Sequence, residues 1–338
     1  LQRWVVEPAH LNKDFGFLGV AVFFLVSGYV ISAVAMRETV AEFGVRRLVR
    51  IVPPLVAAVA LAWLLVLAGV YQVSDPQPGV GVRDLLLNAV LANFFVPDSA
   101  VLVGVAWTLI IQLAIYAILC ALLPIYRREP WLVIGAEVAI CAAVLSVTRN
   151  FGGLANSSIA NIGAFGTAVV LGQVVWAVRT HRMPFWAGTG LGLGCWLVFL
   201  WGDALGYGRY DHSYPLTLFF ALLVTLVALQ AEEYVRPHRL VSWLSSRSYC
   251  TYLVHQTVAF TVLAALAPVN RWVAGLAAVA TTFLVVEIVH RVVERPAGRL
   301  IPLLLGRRGR VPQAPPPPPP AAPPGDTTGT PATSGASG

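Results

Sequence analysis

Apolar runs close to 20 residues long recur along most of this 338-residue chain. A helix rises about 1.5 Å per residue, so roughly 20 apolar residues cross the ~30 Å hydrocarbon core of a bilayer. Nine segments meet that length or come near it: 15–36, 51–71, 101–125, 131–147, 159–178, 185–203, 214–230, 249–266 and 272–290. The runs are continuous rather than alternating, which argues against a β-barrel. In hydrocarbon each backbone N–H and C=O needs a partner within the protein, and a helix supplies them locally. The expected fold class is therefore all-α, a polytopic transmembrane helix bundle. Only 12% of the residues are charged, about half the roughly 25% of a soluble domain.

The basic residues orient the bundle. If the connection after the first run is cytoplasmic, 17 of the 23 Lys and Arg residues fall in cytoplasmic segments and 6 in external ones. The excess of positive charge inside sets topology. It predicts a multi-pass cell-membrane protein with residues 1–14 outside and the C-terminus cytoplasmic. The net charge of +7 is spread between apolar runs rather than over one soluble face, so nucleic acid is not an expected partner; the lipid bilayer is. Residues 1–310 form the expected membrane domain. Residues 311–338 include six consecutive prolines, Pro315 to Pro320, and are expected to be a disordered tail with local polyproline II structure. Residues 83–96 read as a short amphipathic or re-entrant helix on the outer face, within the longest internal loop.

Cys120, Cys141, Cys195 and Cys250 lie in or beside apolar runs, with no CxxC pair. They read as small packing residues, and neither zinc nor a disulfide is expected of them. Ionisable residues at membrane depth are costly and mark candidate sites. Glu287, His290, Arg291 and Glu294 share one helical face, either as a self-neutralising helix end or as the lining of a polar cavity. His255 follows Tyr249-Cys250-Thr251-Tyr252 and lies near the start of its run. It is a packing histidine or, with His290, part of one cavity. Ser27 and Gly28 sit mid-run, where small residues let helices approach closely. Trp107 suits an interfacial anchor. Arg46, Arg47 and Arg50 stand just before Pro53-Pro54, which reads as a helix start, and suit either a membrane anchor or a phosphate-bearing ligand.

Several segments together resemble the membrane acyltransferase-3 family. Gly16-Phe17-Leu18-Gly19-Val20 through Phe23-Phe24-Leu25-Val26-Ser27-Gly28 looks like its Phe-Phe–Ser-Gly signature, and Phe43 to Pro53 like its arginine signature. Trp107-Thr108-Leu109 with Tyr116, Tyr252-Leu253-Val254-His255-Gln256 and Val293-Glu294-Arg295-Pro296 resemble three further segments. Order and spacing hold from residue 15 to 300. The resemblance implies ten helices and transfer of an acyl group, acetyl being the expected one, from cytoplasmic acyl-CoA to a hydroxyl of an extracytoplasmic or membrane-embedded carbohydrate or glycolipid. It implies acyl-CoA as donor substrate, with no permanently bound cofactor and no metal. Arg46, Arg47 and Arg50 would hold the CoA phosphates. Ser27, Trp107 and Tyr116 would line the substrate site, and Gln112 occupies the position of the family's glutamate. The family's catalytic histidine lies on a first helix that these nine runs do not include, and His10 does not match it. With Leu at position 1, this leads to the expectation of a further helix upstream. His255 is the remaining catalytic candidate. Two other readings stay open: a family member without catalysis, because glutamine carries no proton, and a transporter or flippase, although neither repeats nor paired broken helices are visible.

Overall fold

The computed structural model describes residues 16–73, 79–207, 213–231, 234 and 238–306. Within these, the chain is helical and contains no strand. His10, residues 74–78 of the long loop, the Asp211-His212 pair and the proline-rich tail lie outside the described residues. The main helices are α1 (Gly16–Ala35), α2 (Val40–Leu67), α3 (Val82–Ala89), α4 (Trp107–Ala121), α5 (Leu123–Arg128), α6 (Pro130–Thr148), α7 (Leu154–Arg179), α8 (Phe185–Ala204), α9 (Tyr214–Ala231), α10 (Arg239–Leu266) and α11 (Arg271–Val289). Among the described residues, nine helices are long and apolar enough to cross a membrane, matching the nine apolar runs.

Two starts differ most from the sequence expectation. Helix α2 begins at Val40 rather than 51, and α10 at Arg239 rather than 249. Hydropathy undercounts both starts because the first turns of α2 carry Glu and Arg and those of α10 carry Arg and Ser. Their caps explain the true starts. Thr39 Oγ1 accepts from the N–H of Glu42 at 3.2 Å while Glu42 Oε2 accepts from the N–H of Thr39 at 2.9 Å, a capping box. His238 Nδ1 accepts from the N–H of Leu240 at 3.2 Å at the start of α10. The arginines therefore stand on the first turns of α2, and Pro53 and Pro54 lie inside the helix instead of starting it. A proline within a helix leaves a carbonyl one turn earlier without its N–H. Here those carbonyls belong to Val49 and Arg50, and next to them the hydroxyl of Tyr249 on α10 donates to the carbonyl of Ile51 at 2.9 Å.

The bundle has two apolar cores. One joins α1 and α4 to α6–α9; the other joins α2 to α10, α11 and the segment around Leu91 and Phe94. Trp107 and Tyr116 of α4 pack against both. Helix α7 is the centre of the first core: 72% of its most apolar window is buried, and no other span exceeds 39%. The α1–α7 contact needs two glycines. A Cβ on Gly28 would strike the carbonyl of Val169, and a Cβ on Gly172 the carbonyl of Leu25. Such close backbone approach is how membrane helices gain packing without a hydrophobic driving force. Gly172→Ala is expected to lower stability by roughly 1–3 kcal/mol, the usual cost of overpacking. Gly190→Ala, whose Cβ would meet nothing within 4 Å, serves as the control. Thermal unfolding in detergent compares the two, and equal transitions would contradict the packing argument.

Several polar groups inside the bundle are paired across helices. Tyr126 Oη donates to Ser32 Oγ at 2.7 Å, and Ser32 Oγ donates to the carbonyl of Gly28 at 2.8 Å. Gln173 Nε2 donates to Glu137 Oε2 at 2.6 Å, tying α6 to α7. In the 83–96 segment the short helix is α3, Val82–Ala89, followed by a 3₁₀ turn at Ala92–Phe94. This segment is fixed by Asp84 and Asn88: Asp84 Oδ1 accepts from the N–H of Ala100 at 3.0 Å, and Asn88 Oδ1 from the N–H of Leu102 at 3.0 Å.

Candidate functional site

The two cores meet along a seam between α1 and α10, and a cleft of about 360 Å³ opens there. Helix α1 supplies Phe23 and Ser27, α2 Arg47 and Arg50, α4 Gln112 and Tyr116, and α10 Ser248, Tyr249 and Tyr252. The motif residues of the first half of the chain thus converge from positions as far apart as Phe23 and Tyr116.

The polar floor is a three-residue chain. Gln112 Nε2 donates to Ser27 Oγ at 2.8 Å, and Ser27 Oγ lies 2.6 Å from Tyr116 Oη. Gln112 is almost fully buried, at 4% exposure, so its amide is held by packing as well as by the bond. With Gln112 as an N–H donor, one of the Ser27 and Tyr116 hydroxyls donates to the other, and one O–H is left without an acceptor among the described residues. The arrangement offers a hydrogen-bond donor to a ligand oxygen in the cleft. Opposite, Tyr252 stacks on Phe23 with ring centroids 4.6 Å apart and planes 11° apart. Its hydroxyl lies 2.7 Å from Thr108 Oγ1 and donates to the carbonyl of Val105 at 3.2 Å. Phe23 and Tyr252 thus bridge the two halves across the seam.

One end of the cleft is cationic. Arg47 is mostly buried and rests 5.7 Å from the centroid of the Phe43 ring; Arg50 is exposed. Arg46 points away from the cleft wall and pairs with Glu38, its Nε 3.2 Å from Oε1. Burial pushes the Glu38 carboxyl above the usual carboxylate range, against the pull of Arg47 and Arg46. Of the three arginines grouped by sequence, the fold brings two to the cleft.

The other candidates are distributed differently. Trp107 opens α4 and packs edge-on against Phe165 at 5.2 Å and Phe24 at 6.2 Å; it is not part of the cleft wall. His255 was expected near the start of its helix. Because α10 begins at Arg239, the residue sits about 24 Å along the axis at 1.5 Å per residue. It is exposed, and Nδ1 lies 2.8 Å from the carbonyl of Tyr252. A carbonyl only accepts, so Nδ1 carries the proton and Nε2 is the basic nitrogen. His255 and His290 do not share a cavity: His290 is buried with Glu294. The polar face of α11 divides in two. Glu287 holds Arg247 of α10 and Arg291, while His290 and Glu294 turn to Cys250. Sequence reading missed Ser248, Tyr249 and Arg247. Their signal was the spacing Ser248, Tyr249, Tyr252, which puts three polar side chains on one face of α10.

Comparison with known proteins identifies the family. The family model described as an acyltransferase domain matches residues 2–291. Nodulation protein 10 of Rhizobium leguminosarum bv. viciae is 27% identical over 318 residues, covering 86% of this chain and 84% of that protein. No solved structure matches. The chain therefore belongs to the membrane acyltransferase-3 family and is an acyltransferase that moves groups other than aminoacyl groups.

Proposed function

We propose that this enzyme transfers an acyl group, acetyl being the simplest, from acyl-CoA at the cytoplasmic face to a hydroxyl of a carbohydrate or glycolipid presented from the outer side. The observation that carries this reading is the cleft itself. It joins two cations, Arg47 and Arg50, to a neutral polar floor of Gln112, Ser27 and Tyr116. The phosphates of CoA match the guanidinium forks. The thioester then reaches inward along the apolar wall of α1, formed by Val22, Val26 and Val30.

In the reaction the acceptor oxygen bonds to the thioester carbonyl carbon, the C–S bond breaks, and the proton lost by the acceptor ends on the CoA sulfur. The carbonyl oxygen gains negative charge during attack. The free O–H of the Ser27–Tyr116 pair is placed to stabilise it, as donors aimed at developing charge do. His255 lies off the cleft wall and His290 is bonded to Glu294, so among the described residues no imidazole lines the cleft. One observation favours a catalytically weak variant of this reading: Gln112 donates where a carboxylate would accept.

The test is transfer in sealed vesicles of both orientations, with labelled acetyl-CoA as membrane-impermeant donor. Label is expected to leave CoA only where the arginine-bearing face meets the donor. Labelled acceptor formed equally in both orientations would reject the sidedness, and no loss of label from CoA in either would reject CoA as donor.

A further inference from the structure

Cys250, His290 and Glu294 form a second site, apart from the cleft. Cys250 lies two residues from both Ser248 and Tyr252, on the side of α10 turned away from the cleft and toward α11. Its Sγ lies 3.0 Å from Glu294 Oε2, and His290 Nδ1 lies 2.7 Å from that same oxygen. All three ligand atoms are within 4.8 Å of one another, the one such group of three among the described residues. Cys250 is fully buried and His290 nearly so, at 0% and 6% exposure, while Glu294 reaches the surface.

The local backbone is built for this convergence. After Val289 the helix widens into a π-turn, His290–Glu294, closed by the N–H of Arg295 on the carbonyl of His290 five residues back. Such turns recur at functional sites. Pro296 follows, and its missing N–H releases a carbonyl one turn earlier. The result is a wide turn that carries an imidazole and a carboxylate to a thiol on the neighbouring helix.

We propose that these three side chains bind a divalent transition-metal ion, with zinc the best match. A thiolate, an imidazole and a carboxylate are the zinc donor types, and the two anionic ligands balance the ion's charge. A tetrahedral site with metal–ligand bonds of about 2.0–2.3 Å spaces its ligand atoms roughly 3.3–3.7 Å apart. The two spacings to Glu294 Oε2, 3.0 and 2.7 Å, need to open by less than an ångström, and the third is within 4.8 Å. Binding displaces the Sγ–H and Nδ1–H protons that now point at Glu294 Oε2, and a water or the second carboxylate oxygen completes the sphere. The ion would pin α11 to α10. Tyr249, next to Cys250, bonds to α2 at its proline pair, so the pin would also steady the helix that carries Arg47 and Arg50.

Cobalt(II) added to chelator-treated protein in detergent tests this directly. The expected result is one equivalent bound with tetrahedral visible absorption and a thiolate-to-cobalt charge-transfer band, displaced by zinc. Cys250→Ser should abolish the charge-transfer band, Cys120→Ser should leave it, and Glu294→Gln should weaken binding tenfold or more. Zinc should raise the unfolding temperature of the wild type and not of Cys250→Ser. Glu294→Gln changes only the surface-reaching ligand, so it keeps the test valid if the buried serine fails to fold. Absence of a thiolate band in the wild type, or cobalt affinity unchanged in Glu294→Gln, would overturn the proposal.

Discussion

Glu in place of Gln112 is expected to raise the acyl-transfer rate on the order of 10²–10⁴-fold, the range of general acid–base catalysis. The reason is the direction of a hydrogen-bond chain. Gln112 Nε2 now donates to Ser27 Oγ, and Ser27 lies within hydrogen-bond distance of Tyr116. Glutamine can neither take nor return a proton. A carboxylate at the same place would accept from Ser27, which would in turn accept from Tyr116, and the chain would run inward instead of outward. A proton sink would then face the cleft. A buried carboxylate costs several kcal/mol unless it is paired and hydrogen-bonded. Ser27 supplies the bond, and Arg47 on the same cleft wall supplies a positive charge. Gln112→Leu, of similar size and without polar atoms, should lower the rate below wild type by removing the donor that orders Ser27. Transfer is measured in membranes at matched protein levels. Equal rates for the Glu and wild-type proteins would show that position 112 only packs.

The sequence marked which segments enter the membrane far better than which faces meet there. The apolar runs located nine helices because hydrocarbon selects for length and hydropathy, both local properties. Boundaries failed where a helix continues into charged turns. Val40 to Arg50 reads as a connection, yet the capping box of Thr39 and Glu42 winds it into α2. Resemblance flagged Ser27, Arg47, Arg50, Gln112 and Tyr116, and the fold brings these five to one cleft. It also flagged Arg46, Trp107 and His255, which the fold leaves off its wall. The difference is rotational. Arg46 is one residue from Arg47, and one residue is a 100° turn on a helix, enough to move a guanidinium from the cleft to Glu38. The Cys250 cluster was hidden for another reason. Its ligands lie 40 to 44 residues apart on antiparallel helices, and no local spacing announces such a group. A lone cysteine in an apolar run looks like packing until the facing helix is known.

Arg47 and Arg50 are expected to bind the phosphates of acyl-CoA, and losing either should weaken donor affinity about tenfold or more. Charge-assisted hydrogen bonds contribute roughly 1.5–3 kcal/mol each, and about 1.4 kcal/mol is a factor of ten. The fold separates their roles. Arg47 is mostly buried beside Phe43, so its fork is preorganised and little side-chain freedom remains to be lost on binding. Its ion-pair partner Glu38 stands 4.0 Å away, a loose contact that a phosphate can replace. Arg50 is exposed and screened by salt, so its contribution should fall more steeply with ionic strength. Arg47→Ala should therefore cost more than Arg50→Ala, and the gap should widen in high salt. Lysine at either place should recover only part of the loss, because an ammonium lacks the planar fork. Arg46→Ala is the internal control: its side chain pairs with Glu38 outside the cleft, and its removal should leave affinity within a few-fold of wild type. Acyl-CoA binding in detergent, on variants with wild-type expression and membrane insertion, measures all of these. Wild-type affinity in both Arg47→Ala and Arg50→Ala would reduce the pair to membrane anchors, with lipid phosphates as their only ligands, and would remove the cationic half of the proposed donor site.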